Sequence, residues 1–234
     1  MVYTQLLNER GTVESDLTVV PLGVQPGDVH RSFYVVSGTA TCTRDADHIA
    51  TAARLRGIAD VEIDEVTDAR AVLALMGPES RAIVSAVFPG SDFSTAAFPF
   101  GTSLELNAGI RALRVSFAGE LGWELHCPQD HAGSLWRKLH AAADTLGANG
   151  GHGLVNAGYR ALLNALRIEK QYMHFGHDVG PADSPIEAGL VRLFLGPVFT
   201  IWTALNWFSA RVYRWSSRSS PQRVKNGAIC LVLM

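Results

Sequence analysis

The sequence predicts an α+β protein with mixed and antiparallel sheets and helices packed against them. Two periodicities and one ordering predict it. Short runs alternate apolar and polar residues with period two, other stretches carry apolar stripes at helical spacing, and the elements of the first half come in the order strand, strand, helix, strand, strand, helix.

Val2-Tyr3-Thr4-Gln5-Leu6 is strand-like from the start. Leu17, Val19 and Pro21 alternate with Asp16, Thr18 and Val20, and Phe33-Tyr34-Val35-Val36 is a compact β-rich run. From Asp47 to Arg56 the residues Ile49, Ala52 and Ala53 sit at helical spacing, with Gly57 as a stop. Val61-Glu62-Ile63-Asp64 predicts another strand, and Ala71 to Met76 a buried one. Gly77-Pro78 opens a helix through Ala82, Ile83, Ala86 and Val87. In the second half, Leu113, Val115 and Phe117 predict a strand that turns through Ala118 to Gly122 and returns along Trp123, Leu125 and Cys127. The other face of this hairpin carries Arg114, Ser116, Glu124 and His126. An amphipathic helix over 131–146 lines up Leu135, Leu139, Ala142 and Leu146, and a glycine-rich loop follows. A last helix over 156–168 puts Tyr159, Leu162, Leu163 and Leu166 on one face, with Asn156, Arg160, Asn164 and Arg167 opposite.

The chain has 234 residues, enough for one large domain or two small ones. A net charge of −2 gives no reason to expect nucleic acid as a partner. Cys42, Cys127 and Cys230 lie far apart and form no CxxC pair, which argues against a disulfide framework and a sequence-local zinc site. Met1 leads directly into strand-like sequence, so no targeting signal is expected in this chain. The average charge hides a break near residue 190. Six of the 20 basic residues, and none of the 22 acidic ones, fall in 191–234, along with Trp202, Trp207 and Trp215. We therefore divide the chain into a domain over 1–190 and a basic, tryptophan-rich tail over 191–234 that is foreign to the fold. The uncharged stretch Leu193 to Phe208 is short for a span and contains Gly196-Pro197, so no membrane partner is expected.

No dinucleotide, phosphate-loop, nucleophile-elbow or HExxH motif is present. His174 and His177 are three apart, but without a third ligand in view they read as loop histidines, and no metal is expected. Three polar positions interrupt apolar settings. Pattern alone reads Asp16 as a strand-end aspartate in water, Glu124 as part of a solvated face and Arg160 as part of a surface stripe.

Four motifs, in order, carry a resemblance. They are Tyr3-Thr4-Gln5-Leu6-Leu7-Asn8-Glu9-Arg10-Gly11 with Val13-Glu14-Ser15-Asp16-Leu17-Thr18-Val19; Gly119-Glu120-Leu121-Gly122-Trp123-Glu124-Leu125; Asn156-Ala157-Gly158-Tyr159-Arg160 with Leu166-Arg167-Ile168-Glu169-Lys170; and Ser184-Pro185-Ile186-Glu187-Ala188-Gly189-Leu190. Together they resemble the folate-binding domain of the aminomethyltransferase family, which includes the glycine cleavage T-protein and the C-terminal halves of dimethylglycine and sarcosine dehydrogenases. Tyr3 to Val19 and Ala97-Phe98-Pro99-Phe100 are most similar in wording to the sarcosine dehydrogenase branch.

The resemblance implies a one-carbon-accepting domain with tetrahydrofolate as its ligand. It implies that Asp16 lies near the folate amine that accepts the carbon, where it orients the amine or helps move its proton. It implies that Glu124 accepts paired hydrogen bonds from the pterin, and that Arg160 binds an acidic group or holds one of these carboxylates. Tyr159 and Trp123 are candidate cavity walls, although core packing is the reading their chemistry favours unaided. FAD belongs, by the same resemblance, only to an N-terminal domain that this chain lacks. A flavoprotein domain is accordingly the implied partner, and the mitochondrial matrix the implied location. The family fold has strands upstream of Met1, and after Leu190 it continues into sequence that this tail does not resemble. Two other readings follow: a non-catalytic regulatory relative, such as the regulatory subunit of pyruvate dehydrogenase phosphatase, and a truncated product without function.

Overall fold

A tight turn at Asn8 to Gly11 folds the first 21 residues into a hairpin. The Asn8 side chain accepts the N–H groups of Arg10 and Thr12, and Gly11 adopts the left-handed conformation (φ 78°) that closes such a turn without strain. The computed structural model describes residues 1–23, 32–58 and 61–190, with the backbone alone of 228–233. These fall into two compact units, one made of residues 1–65 with the segment from Met173, the other of Val66–Tyr172 with the C-terminal strand.

In the first unit β1 (Val2–Leu7) pairs antiparallel with β2 (Val13–Pro21), Gln5 opposite Asp16, and β2 pairs antiparallel with β3 (Phe33–Ser37). Val13, Ser15 and Leu17 are buried in alternation along β2. Helix α1 spans Cys42–Leu55 and starts five residues earlier than the apolar spacing predicts. Its first turn is polar: buried Asp45 accepts the hydroxyls of Ser15 (2.7 Å) and Thr41 (2.8 Å), contacts that apolar periodicity cannot signal. The expected strand at Val61 to Asp64 is absent. These residues are exposed and pair with no described strand, so alternation alone had nothing to hold it. The 173–190 segment closes this unit, Val13 donating its N–H to the Asp183 carbonyl while Val13, Val179 and Ala188 form a small core.

The second unit is a six-stranded sheet. Its strands are β4 (Arg70–Met76), β5 (Ser103–Glu105), β6 (Arg111–Leu113), β7 (Gly122–Pro128), β8 (Leu154–Asn156) and β9 (Ala228–Leu233), in the order β5-β6-β7-β4-β9-β8. All pairs are antiparallel except β8 with β9, giving the mixed α+β architecture that the periodicities predict. Helices α2 (Ser80–Val87) and α3 (Ala132–Ala148) bury Ile83, Val84, Leu135 and Leu139 against Leu73, Leu75, Trp123 and Leu125 on one sheet face. The opposite face carries Ala74 and Met76, packed with Ala118 and Leu162.

Two boundaries differ from expectation. The outgoing strand of the central hairpin ends at Leu113, because the Val115 N–H turns back to the Leu113 carbonyl (3.0 Å) and leaves the ladder. Asn156 belongs to β8, and helical structure begins only at Tyr159. Helices α4 (Tyr159–Ala161) and α5 (Arg167–Glu169) are joined by a π turn at Leu162–Leu166. A π turn holds more residues than an α turn, so positions beyond it rotate off the 3.6-residue stripe. That rotation brings Arg167 inward. It is buried, with its guanidinium donating to the carbonyls of Leu163 (2.7 Å) and Tyr172 (2.9 Å). The tail expected over 191–234 lies outside the described residues except for the β9 backbone.

Candidate functional site

Asp16 stands on the face of β2 opposite to Ser15 and Leu17, half-buried beside Gln5. The Tyr3 hydroxyl donates to its Oδ2 at 2.7 Å. The two residues are 13 apart in sequence, yet the register sets them diagonally on one face of the hairpin. Burial raises the Asp16 pKa above the ordinary carboxylate value, the Tyr3 hydrogen bond and the His174 charge oppose that rise, and the Asp45 charge adds to it. Burial of the phenol, then the Asp16 charge and hydrogen bond, push the Tyr3 pKa well up, so Tyr3 stays a donor. Since 37% of Tyr3 remains open to solvent, the Asp16 contact is the firmer of these causes. Gln5 is buried beside the pair, and its Nε2 has no hydrogen bond of good geometry among the described residues. The result is a carboxyl that keeps its proton to higher pH than a free aspartate does, with a fixed donor on one oxygen.

In the second unit β7 carries Trp123 and Glu124 on opposite faces. Trp123 is fully buried in the aromatic core, edge-on to Phe93 at 5.5 Å between centroids, with the Arg114 guanidinium over its ring. Its burial is accounted for by core packing. Glu124 lies on the other face between Ala74 of β4 and Leu113 of β6. Its side chain is 17% exposed, and His126 Nε2 lies 3.3 Å from its Oε2. The face read from pattern as solvated is therefore closed at His126, which is 1% exposed, while Arg114 lies off this face, buried against Trp123. Gly122 explains the tight fit of β7 on β4, since a Cβ there would meet the Leu75 carbonyl oxygen at 2.5 Å and Met76 Sδ at 2.3 Å.

Tyr159 and Arg160 open the helical segment after Gly158 and face solvent, Tyr159 with 60% of its surface exposed. Tyr159 is thus not part of the core stripe. The stripe expected to include it is shortened to Leu162 and Leu166, because the helix starts later and passes through the π turn. Arg160 forms no ion pair or hydrogen bond among the described residues. Asp16 thus belongs to one unit and Glu124, Trp123, Tyr159 and Arg160 to the other. Reasoning from sequence missed Tyr3, Asp45 and His126. Tyr3 was accessible once the turn at Asn8 to Gly11 set the register, whereas Asp45 and His126 gave only the signal of a polar residue among apolar ones.

His174 and His177 lie in the first unit with ring centroids 6.1 Å apart, and Asp178 accepts the His174 N–H. No group of three or more potential metal ligands occurs among the described residues.

Antiparallel strands with helices packed on the second unit's sheet define an α+β protein. The chain belongs to the GCVT family, whose N-terminal domain model matches residues 1–194. It is 42% identical over 199 residues to human mitochondrial sarcosine dehydrogenase, covering 81% of this chain and 21% of that protein. It is 38% identical over 192 residues to a formaldehyde-forming 4-methylaminobutanoate oxidase of Paenarthrobacter nicotinovorans, covering 81% and 21%. Among solved structures it superposes on the glycine cleavage system aminomethyltransferase T of Bartonella henselae with a TM-score of 0.61 at 26% identity, covering 79% of this chain and 44% of that one. The chain thus spans about a fifth of the sarcosine dehydrogenase and under half of the aminomethyltransferase. No helix among the described residues is long and apolar enough to cross a membrane.

Proposed function

We propose that this chain is a tetrahydrofolate-binding, one-carbon-accepting domain of a sarcosine dehydrogenase-like mitochondrial enzyme. The observation that carries the reading is Asp16, a half-buried carboxyl with a raised pKa, held by the Tyr3 phenol. The residues present fit a reduced folate. A pterin edge offers adjacent N–H donors, and Glu124 supplies a carboxylate with lone pairs beyond the one turned to His126. Tetrahydrofolate supplies the amines that take up a carbon at the oxidation level of formaldehyde.

Asp16 keeps an acceptor oxygen against the amine that reacts and takes or returns its proton, while Tyr3 fixes the carboxyl orientation. Glu124 accepts the paired pterin donors. Arg160, exposed and without a described ionic partner, takes an acidic group of the ligand. Tyr159 lies beside Arg160 as a wall for the ligand's flat rings, and Trp123 supports the strand that carries Glu124 from its core face without reaching the ligand. A flavoprotein domain is the partner that delivers the carbon, and the wider role is oxidative demethylation of sarcosine with capture as methylenetetrahydrofolate. The domain boundary we propose lies near residue 190, supported by the charge break there and by the family match ending at 194, with 191–234 a tail of different composition whose β9 backbone adds to the second unit's sheet.

Ligand-induced stabilisation tests the reading. Tetrahydrofolate at about a hundred times its dissociation constant adds about 2.7 kcal/mol to a chain that binds it, and the melting midpoint rises accordingly. A midpoint that stays put at millimolar tetrahydrofolate sinks the proposal.

A further inference from the structure

The β7 face that carries Glu124 also carries His126 two residues on, and its imidazole is buried. Its neighbours across the ladders are Val72 of β4 and Arg111 of β6. Arg111 is ion-paired with Glu105. Glu124 is flanked by Ala74 and Leu113, neither of which can donate a hydrogen bond to it from its side chain. Among the described residues, His126 is the one hydrogen-bond partner of the Glu124 carboxylate, through Nε2 to Oε2 at 3.3 Å. Burying an imidazole costs free energy unless its polar atoms are bonded, and the Nε2 contact falls on the carboxylate proposed to read the ligand.

We infer that His126 is a positioning residue for Glu124: its Nε2–H holds one carboxylate oxygen, fixing the side-chain torsions so that the remaining lone pairs are pre-set for paired donors of a pterin-like ring. The inference rests on the folate reading of Glu124 and adds to it the device that aims the carboxylate. A glutamate has three side-chain torsions, and a carboxylate that must be ordered on binding loses part of its interaction to that ordering. Ala74 leaves no bulk on the neighbouring strand to fix it, so orientation falls to a hydrogen bond from the same strand face. His126 acts through Glu124 and need not touch the ligand.

Two measurements on the full chain test this. Long-range proton–nitrogen NMR on the unaltered protein reads the His126 tautomer without any ligand. The inference requires a proton on Nε2 and a shift of that nitrogen in Glu124→Ala; an imidazole with bare Nε2, or a resonance that ignores the substitution, overturns it. The second is tetrahydrofolate affinity in a mutant cycle. His126→Leu weakens binding about tenfold, about 1.4 kcal/mol, His126→Gln with its amide donor restores most of the loss, and His126→Leu adds less than about twofold in a Glu124→Gln background. Binding unchanged in His126→Leu, or an equal loss in both backgrounds, overturns the positioning role. If Glu124→Gln itself binds as the unaltered chain does, the folate reading of Glu124 fails and takes the inference with it. Should His126→Leu not fold, His126→Gln and the tautomer measurement still decide.

Discussion

Asp16 is the residue on which the proposed chemistry turns, and its environment makes a prediction about stability. Burial raises its pKa in the folded chain above the ordinary value near 4. A folded-state pKa above the unfolded one means the native protein holds this proton more tightly. The group's contribution is therefore fully present below about pH 4 and is lost as pH rises through the folded value. Asp16→Asn keeps an acceptor for Tyr3 and removes the cost of ionisation. It should raise the melting midpoint at pH 7, and the gain should shrink toward zero as pH falls to 4 or below. A variant no more stable at pH 7, by thermal denaturation, contradicts this account of Asp16. How much of this was legible in the sequence differs by residue. Asp16 could be picked out because it interrupts an apolar strand, and its Tyr3 partner follows from the register. Trp123 could not be separated from a ligand wall, since a buried core tryptophan and a cavity wall share one apolar pattern. Arg167 was placed on the wrong face because no sequence periodicity announces a π turn.

At the scale of elements, the strand that presents Glu124 depends on a glycine. Gly122 lets β7 close on β4, and Gly122→Ala would drive a Cβ into the Leu75 carbonyl and Met76 sulfur. We expect a loss of about 1–3 kcal/mol in denaturant midpoint measurements, with Glu124 displaced and tetrahydrofolate binding weakened. An unchanged midpoint would show that the two strands can separate at no cost. β9 presents a different case. Composition marks its segment as foreign to the domain, yet its backbone pairs with β4 and β8. Main-chain ladders do not depend on side-chain identity, which is how a strand of unrelated sequence can add to a sheet. Removing 228–234 leaves Val72 to Met76 without the partner it has in β9. Light scattering should then report concentration-dependent association through that edge; a deleted chain that stays monomeric contradicts the pairing. Long, periodic elements such as α3 and β4 were readable from sequence, while three-residue strands and the polar first turn of α1 were not. The former bury a repeating stripe, and the latter are set by partners distant in sequence.

For the whole molecule, the α+β architecture followed from the ordering of two periodicities, and the GCVT family match over residues 1–194 agrees with the four motifs. The division of residues 1–190 between two units was not legible, because the hydrophobic pattern of each half is ordinary and contiguous. The central claim is that this chain binds tetrahydrofolate through the Glu124 carboxylate. Calorimetric titration of tetrahydrofolate into the purified chain and its Glu124→Ala variant tests that claim most directly. The account predicts saturable binding that the substitution weakens at least tenfold, by about 1.4 kcal/mol. Saturable binding of equal strength in both, or no binding by a chain that melts cooperatively, would contradict it.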